Sequence, residues 1–125
     1  MDAVHVAITE VLLKLLKENK EKALITYGDL CNKIGNMVTP RNTAGYLIDL
    51  SDWCHEFGAP MISALVVNQR EYMPGTGFFD LYEEEYGIKV LDKEKAFHDE
   101  LKKVRSYDAW QEFAKYLGLD YIFKE

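Results

Sequence analysis

Three short segments of the sequence contain residue types that can do chemistry. The segment ITYGDLCNKIG, residues 25–35, places Cys31 inside a helical pattern. Cys54 is followed directly by His55, and Glu83–Glu85 is a run of carboxylates. A thiol becomes a nucleophile when a neighbouring histidine or cation lowers its pKa. Two carboxylates catalyse proton transfer when their environments differ across a cleft. These segments are therefore the candidates for a catalytic site.

Each of these segments also has a simpler structural interpretation. No histidine lies near Cys31 in the sequence, so we expect a small buried core residue there. Cys54 and His55 are neighbours on a predicted helix, where successive side chains point about 100° apart and do not face each other. A run such as Glu83–Glu85 is typical of a solvated face or a protein-binding surface. The sequence therefore predicts no catalytic residue. An enzyme that uses Cys54 or a carboxylate pair is kept as a third hypothesis, after the two binding functions described below.

The sequence predicts neither a metal ion nor a cofactor. His5, His55 and His98 share no metal-ligand spacing, and the two cysteines do not form a CxxC pair. We expect residues 98–100, His-Asp-Glu, to face solvent on a charged helix. The segment Pro-Gly-Thr-Gly at 74–77 has the glycine content of a phosphate-binding nest but lacks the Lys-Ser/Thr of a P-loop. Its composition favours a tight turn, with the nest as the alternative.

Composition indicates a single folded domain over residues 1–125. Hydrophobic residues make up 48% of the chain, which excludes a disordered protein. A chain of this length can bury a core without disulfides or metal. Two cysteines and no signal peptide indicate a cytoplasmic protein. No uninterrupted apolar stretch approaches the length of a membrane span, so no membrane partner is expected.

The negative charge is concentrated in the second half of the chain. The net charge is −6: residues 1–70 contain seven Lys and Arg against eight Asp and Glu, and residues 71–125 contain eight against thirteen. Nucleic-acid-binding proteins usually concentrate positive charge, because phosphate contacts supply most of their affinity. The acidic half would repel a phosphate backbone unless it points away. Nucleic acid is therefore expected only at the first half, and a protein partner is the alternative.

Two helices are predicted at the start of the chain. Apolar residues at helical spacing predict a helix over residues 2–18, with Asp2 as its N-cap. Thr26 and Asp29 form a capping-box arrangement at the start of a short second helix. Gly35 is expected to end that helix.

A third predicted helix completes a helix-turn-helix. It begins with Thr39 as N-cap and Pro40 in the first position, and it ends at Phe57 before Gly58. Only the short segment 36–38 separates it from the second helix. The third helix would then lie where a recognition helix lies.

The rest of the chain predicts a small β-hairpin and further helices. The β-branched segment MISALVV, residues 61–67, predicts a strand, followed by a polar turn and a returning edge at 71–73. Such a hairpin after a helix-turn-helix is the layout of a winged helix. Further elements are predicted as a helix over 79–86, a short strand over 88–91, a helix from Asp92 to about Tyr107 and a last helix capped by Asp108. The predicted class is therefore α/β (α+β), with a winged-helix-like core over 1–79 and an acidic helical extension over 80–125.

Four segments of the first half resemble a known family. ITYGDLCNKIG, PRNTAGYLIDL, PMISALVVN and PGTGF, in this order, resemble the C-terminal domain of O6-alkylguanine-DNA alkyltransferases and the alkyltransferase-like proteins. The resemblance covers roughly residues 22–79. It implies a winged-helix domain that binds DNA, in which Tyr27 lies near the DNA backbone. The arrangement ALVVN…PGTGF also resembles a group of small bacterial proteins, a likeness that implies no activity.

The reactive motif of the alkyltransferases is missing. Residues 60–63, Pro-Met-Ile-Ser, stand in place of Pro-Cys-His-Arg, and Met61 cannot supply a thiolate. The alkyltransferase-like branch also lacks the cysteine and still binds alkylated DNA, with a pocket for a flipped base. The arginine that fills the gap left by that base falls three residues before the helix glycine in the family. Here Asn42 has that spacing before Gly45, and Arg41 comes one residue earlier.

The candidate binding surface lies at the starts of two predicted helices and at the tip of the predicted hairpin. Its residues are Tyr27, Thr39, Arg41, Asn42, Asn68 and Arg70. Such side chains suit phosphate and base-edge contacts, and they are also ordinary capping and turn residues. The first hypothesis is a non-enzymatic, alkyltransferase-like protein that binds nucleic acid there. The second is a small acidic protein-interaction module, an inhibitor or adaptor, whose contacts come from the acidic half and from exposed Tyr72, Tyr82 and Tyr86.

Overall fold

The computed structural model describes residues 1–124, which form six α-helices and one two-stranded sheet. The helices are α1 (Ala3–Asn19), α2 (Tyr27–Lys33), α3 (Thr43–Phe57), α4 (Thr76–Tyr86), α5 (Lys93–Ser106) and α6 (Trp110–Tyr116). The strands are β1 (Ile25–Thr26) and β2 (Val66–Val67), and they pair in parallel. Short 3-10 turns occupy Lys20–Lys22, Pro40–Asn42, Ile62–Leu65 and Asp120–Phe123. The predicted class, α+β and mostly helical, is confirmed.

Local sequence signals explain most of the helix ends. The predicted caps Asp2, Thr26 and Asp92 each accept a hydrogen bond from the backbone N–H three residues later, at 3.0–3.1 Å. Gly58 follows α3 with φ +94°, a conformation that a residue with a Cβ rarely adopts. These four signals are confirmed.

The predicted hairpin after α3 is wrong. Residues 62–65 form a 3-10 turn, only Val66–Val67 is a strand, and its partner is β1 instead of residues 71–73. The reason is burial, because residues 61–67 are buried without the alternation that a strand with one solvent face shows. The strand consists of Ile25 and the cap residue Thr26, and two residues give no periodic signal of their own, so sequence reasoning missed it.

Three further boundaries differ from the predictions. Thr39 makes no capping bond with its side chain, because a 3-10 turn precedes α3 and Thr43 Oγ1 donates to Pro40 O at 2.7 Å. The N-cap of α6 is Ala109 instead of Asp108. Residues 88–91 form no strand. At Val90 the backbone N–H donates to Glu83 Oε2 instead of to a strand partner.

One hydrophobic core joins all six helices. It extends from Ile8 on α1 to Ile122, and the aromatic residues Phe97, Trp110 and Phe113 belong to it. α3 lies at its centre and contacts α1, α4 and α6. This packing brings the N-terminal ends of α2, α3 and α4 together. Within residues 1–124, no helix has both the length and the apolar character that a membrane crossing needs.

Candidate functional site

A cavity of about 550 Å³ opens where α2, α3 and α4 begin. We call it the helix-start cavity. Its apolar walls come from α3 and α4, and they include Leu47, Ile48, Phe78 and Leu81. Polar groups lie among them, from Tyr27, Arg41, Ser63, Asn68, Gln69 and Thr76. Arg41 is the one charged residue among the described residues that line this cavity. The size and the mixture of apolar walls with a few polar groups are typical of small-molecule sites.

Tyr27 ties two walls of the cavity together. Its hydroxyl accepts a hydrogen bond from the Gly75 N–H at 3.0 Å, which joins the start of α2 to the start of α4. A Cβ on Gly75 would lie 3.3 Å from that hydroxyl, so glycine permits the close approach. Burial raises the pKa of Tyr27. A hydroxyl that accepts one bond keeps its own proton, so Tyr27 can donate to a ligand in the cavity.

Asn68 holds the turn that forms the third side of the cavity. Its Nδ2 donates to Met73 O at 2.9 Å, and its Oδ1 accepts from the Glu71 N–H at 2.6 Å. Its side chain therefore shapes the turn from 68 to 73, which we call the Asn68 turn. The neighbouring Gln69 is exposed and lines the cavity, and this residue is the better candidate for a ligand contact.

The cavity contains half of the predicted site residues. Tyr27, Arg41 and Asn68 line it. The exposed residues Thr39, Asn42 and Arg70 do not. Sequence reasoning missed residues 75–78, because Pro-Gly-Thr-Gly was interpreted as a tight turn. That interpretation is wrong, since Thr76 and Gly77 form the first turn of α4 and Gly75 is its N-cap. The signal was present, because glycine and threonine before an apolar run also mark a helix start.

The position of the missing reactive motif provides no nucleophile. Met61 is buried, and its backbone N–H donates to Glu100 Oε2 at 2.7 Å. Ser63 lines the cavity and accepts a 2.6 Å hydrogen bond from Ser51 Oγ. A serine becomes a nucleophile when a general base takes its proton, and a second hydroxyl is not such a base. The arrangement therefore suits binding rather than covalent catalysis.

Neither cysteine is a reactive thiol. Cys54 is fully buried, and burial raises its pKa to about 12. His55 points away to the surface, where its Nε2 lies 3.1 Å from Glu85 Oε2. Burial also raises the pKa of Cys31, which is a core residue as predicted. Both thiols therefore stay protonated at neutral pH, which argues against the thiol enzyme. Across residues 1–124, no group of three or more His, Cys, Asp or Glu side chains could hold a metal ion.

A second polar region lies at the opposite ends of α3 and α4, and it corrects two predictions. Only Glu84 of the run 83–85 is exposed, since Glu83 accepts a 2.6 Å bond from the Val90 N–H and the Glu85 side chain is only 12% exposed. Glu100 does not face solvent; it is fully buried and accepts a 2.6 Å bond from Tyr86 Oη. The signal for Glu100 was its place on the apolar stripe of α5, three residues after Phe97.

The aromatic residues predicted for a protein contact are mostly covered. Tyr82 is buried in the core, and Tyr86 is bound to Glu100. Burial is the main cause that raises the pKa of Tyr86, followed by its bond to Glu100. Tyr72 alone of the three is exposed, at 54%. Of the three tyrosines, Tyr72 is therefore the one that can face a partner, and a protein contact through the acidic half stays a prediction.

Comparison with protein-family models, with curated proteins and with solved structures finds no match to this chain. The geometry and chemistry of the cavity are thus the basis for a functional proposal, and the resemblance to alkyltransferase-like proteins stays a prediction.

Proposed function

We propose that this chain is a non-enzymatic protein that binds nucleic acid and receives an unstacked base in the helix-start cavity. The proposal depends on one observation: the described lining of the cavity contains Arg41 and no carboxylate, in a chain whose net charge is −6. The Arg41 cation attracts an anionic ligand to this site, whereas the net negative charge of the chain as a whole repels one.

The interior chemistry supports a nucleobase as the ligand. A flat ring packs against apolar side chains, and the cavity lining includes those of Ile48 and Phe78. Hydroxyl and amide groups can hydrogen-bond to the edge of a base, and Tyr27, Ser63 and Gln69 provide them. A base leaves its stack only at an energetic cost, which is lowest where it is mismatched, damaged or single-stranded. We therefore expect a preference for such bases over matched duplex.

The rim supports contact with the phosphate backbone. Arg41 is exposed at the cavity, and residues 75–77 line the same space at the N-terminal end of α4, where a helix carries a partial positive charge. In this proposal α2 and α3 serve as the helix-turn-helix, and the Asn68 turn takes the place of a wing. The winged-helix-like and alkyltransferase-like descriptions belong to the proposal. A cytoplasmic location also belongs to it, since both cysteines are free thiols.

Fluorescence anisotropy with labelled oligonucleotides tests the proposal. The probes are a matched duplex, the same duplex with a central mismatch or an O6-alkylated guanine, and the corresponding single strand. We expect binding at low salt that weakens steeply as salt rises, with the matched duplex weakest. If none of the probes binds at low salt, the proposal is wrong.

A plugged cavity provides the specific control. Ala44 is exposed at the cavity mouth, so Ala44→Trp fills the opening without entering the core. We expect at least a tenfold loss of affinity for the single strand. Ala3→Trp adds the same ring at an exposed helix position away from the cavity and should bind as the wild type does. Equal affinities of both variants would exclude the cavity as the site.

A second candidate function is protein binding through the segment after α4. Leu91 is 90% exposed and Ile88 is 51% exposed, with Glu84 and Asp92 close in sequence. An exposed apolar pair with acidic neighbours is typical of a protein contact. Pull-down from a lysate tests this function. A partner that the wild type captures and the Leu91→Ser variant does not would support it. A partner retained equally by that variant would count against it.

A further inference from the structure

Two buried serine hydroxyls meet at the inner end of the helix-start cavity. Ser63 lines the cavity and is only 6% exposed, and its partner Ser51 on α3 is fully buried. Their oxygens are 2.6 Å apart, and Ser51 Oγ donates to Ser63 Oγ. Within residues 1–124, Ser51 makes no bond to the carbonyl one helical turn earlier, as Thr9 and Ser106 do on their helices. Ser63 is therefore the acceptor that holds the Ser51 proton.

This pair has one more proton than it has acceptors. Two hydroxyls carry two protons, and the single bond between them uses the proton of Ser51. Among residues 1–124, Ser63 Oγ donates no hydrogen bond, so its own proton has no acceptor in the folded chain. A buried donor without an acceptor is costly. Because Ser63 borders the cavity, the acceptor comes from whatever fills that space.

A base in the cavity would meet Ser63 with the edge that lies far from its sugar. The sugar and phosphate stay with the strand at the mouth of the cavity, where Arg41 and Gln69 are exposed. Ser63 is covered, so it lies at the inner end. The edge far from the sugar carries a carbonyl oxygen in uracil, thymine and guanine. In cytosine and adenine the same edge carries an amino group.

We infer that Ser63 selects bases with a carbonyl oxygen at this edge, because its hydroxyl proton donates to that oxygen. This inference rests on the proposed function and makes it more specific, since the preferred ligands become uracil, thymine and guanine. An amino group can donate to Ser63 Oγ but cannot accept, so it leaves the Ser63 proton unpaired. A site built around a buried hydrogen-bonding group rejects a ligand that lacks the matching group.

Two other features of the cavity favour an acceptor on the ligand. Donation from Ser51 polarises the Ser63 hydroxyl, which strengthens the bond that Ser63 gives. Tyr27 adds a second hydroxyl proton, because its oxygen accepts from the Gly75 N–H and its own proton stays available. The described residues of the lining include neither aspartate nor glutamate, so no charged acceptor is present for an amino group.

Oligo(dU) and oligo(dC) test the inference, each as a labelled single strand of about 12 nucleotides. All bases of one strand are identical, so the base that enters the cavity is known. By anisotropy we expect the wild type to bind oligo(dU) about tenfold more tightly than oligo(dC). Ser63→Ala removes the donor and should lose this preference. Ser51→Ala leaves the Ser63 proton in place and should keep the preference.

A double variant separates the missing donor from a folding defect. Ser63→Ala alone leaves the buried Ser51 proton unpaired, so the midpoint of thermal unfolding should fall by about 4 °C. The double variant Ser51→Ala/Ser63→Ala removes both hydroxyls and should recover most of that loss. It should still bind the two strands equally. A double variant that keeps the preference for oligo(dU) would overturn the inference.

The outcomes distinguish this inference from the proposed function. If the wild type binds both strands equally and Ala44→Trp weakens both, the cavity remains the site and the role of Ser63 is wrong. If Ser51→Ala loses the preference as fully as Ser63→Ala does, the pair shapes the cavity, and the inference is again wrong. A preference for oligo(dC) would mean that the inner end accepts rather than donates. If the wild type binds neither strand, the proposed function and the inference both fail.

Discussion

The two ends of the α3–α4 pair have opposite chemistry. At the N-terminal ends, the described residues that line the helix-start cavity include Arg41 and neither aspartate nor glutamate. Toward the C-terminal ends, Asp52, His55 and Glu85 meet, and Glu85 is within hydrogen-bond reach of the Asp52 carboxyl. Carboxylates near a helix C-terminus oppose the helix dipole, so such groups need partners. Partners are present at that end, whereas the Tyr27 proton and the exposed side chain of Gln69 at the cavity stay available for a ligand.

Net charge alone does not define the surface of this protein. The overall charge of −6 suggests an acidic interaction module. However, one of its buried carboxylates, Glu100, serves the fold, because it accepts bonds from the Met61 N–H and from Tyr86 Oη. The local charge at the cavity therefore tells more about a ligand than the total does. Substitutions at either end test this difference in local charge.

The largest effect is expected from Glu100→Ala. The change leaves the Met61 N–H and the Tyr86 hydroxyl without their buried acceptor, and it opens a cavity in the core. We expect the free energy of unfolding to fall by about 3 kcal/mol in urea denaturation. Lys103→Ala removes the exposed cation 3.6 Å from Glu100 Oε1 and should cost less than about 1 kcal/mol. Similar losses in the two variants would contradict a structural role for the bonds of Glu100.

A carboxylate introduced at the cavity should abolish the difference in local charge between the two ends of the α3–α4 pair. Gln69→Glu adds a negative charge to the lining, where a phosphate would approach. We expect about a tenfold rise in the Kd for the single strand, which corresponds to ~1.4 kcal/mol. Gln111→Glu makes the same charge change at an exposed position of α6 and serves as the control. If both variants bind equally well, the absence of carboxylates at the cavity has no functional meaning.

The bond between Tyr27 and Gly75 should stabilise the cavity end by a smaller amount. Tyr27→Phe removes the acceptor of the Gly75 N–H, and we expect a loss of about 1 kcal/mol. Gly75→Ala should be less harmful in the Tyr27→Phe background, because the atom 3.3 Å from its Cβ is then gone. Urea unfolding of the two single variants and the double variant measures this coupling. Additive effects would show that the two residues do not depend on each other.

Sequence reasoning predicted the helices better than the cavity. Caps such as Thr26 and stops such as Gly58 act through their own neighbours, so a few residues suffice to recognise them. The cavity depends on residues 48 positions apart, such as Tyr27 and Gly75, and no local pattern reports that they meet. The strand Ile25–Thr26 was missed because its partner is Val66–Val67, far along the chain. Glu100 was missed because its charge outweighed its place on an apolar stripe.

The smallest expected effect tests the acidic end through pH. Burial is the main cause that raises the pKa of Glu85, from 4.5 to about 6, and the neighbouring Asp52 carboxyl adds to it. The folded protein therefore binds this proton more tightly than the unfolded chain does. Its contribution to stability is present below about pH 4.5 and is lost as the pH rises through about 6. Glu85→Gln keeps a neutral group at every pH and should remove that loss.

We expect Glu85→Gln to match the wild type at about pH 4.5 and to exceed it at about pH 7.5, by up to about 1 kcal/mol. The bound is lower than the full shift would imply, because solvent screens part of the interaction. Glu94→Gln is the matched control, since Glu94 is exposed on α5 and is not among the groups that shift the pKa of Glu85. Urea unfolding of the three proteins across this range gives the differences, in which other titrating groups cancel. A constant difference between Glu85→Gln and the wild type would show that Glu85 ionises as freely in the folded protein as in the unfolded chain, and the acidic end would then be ordinary surface.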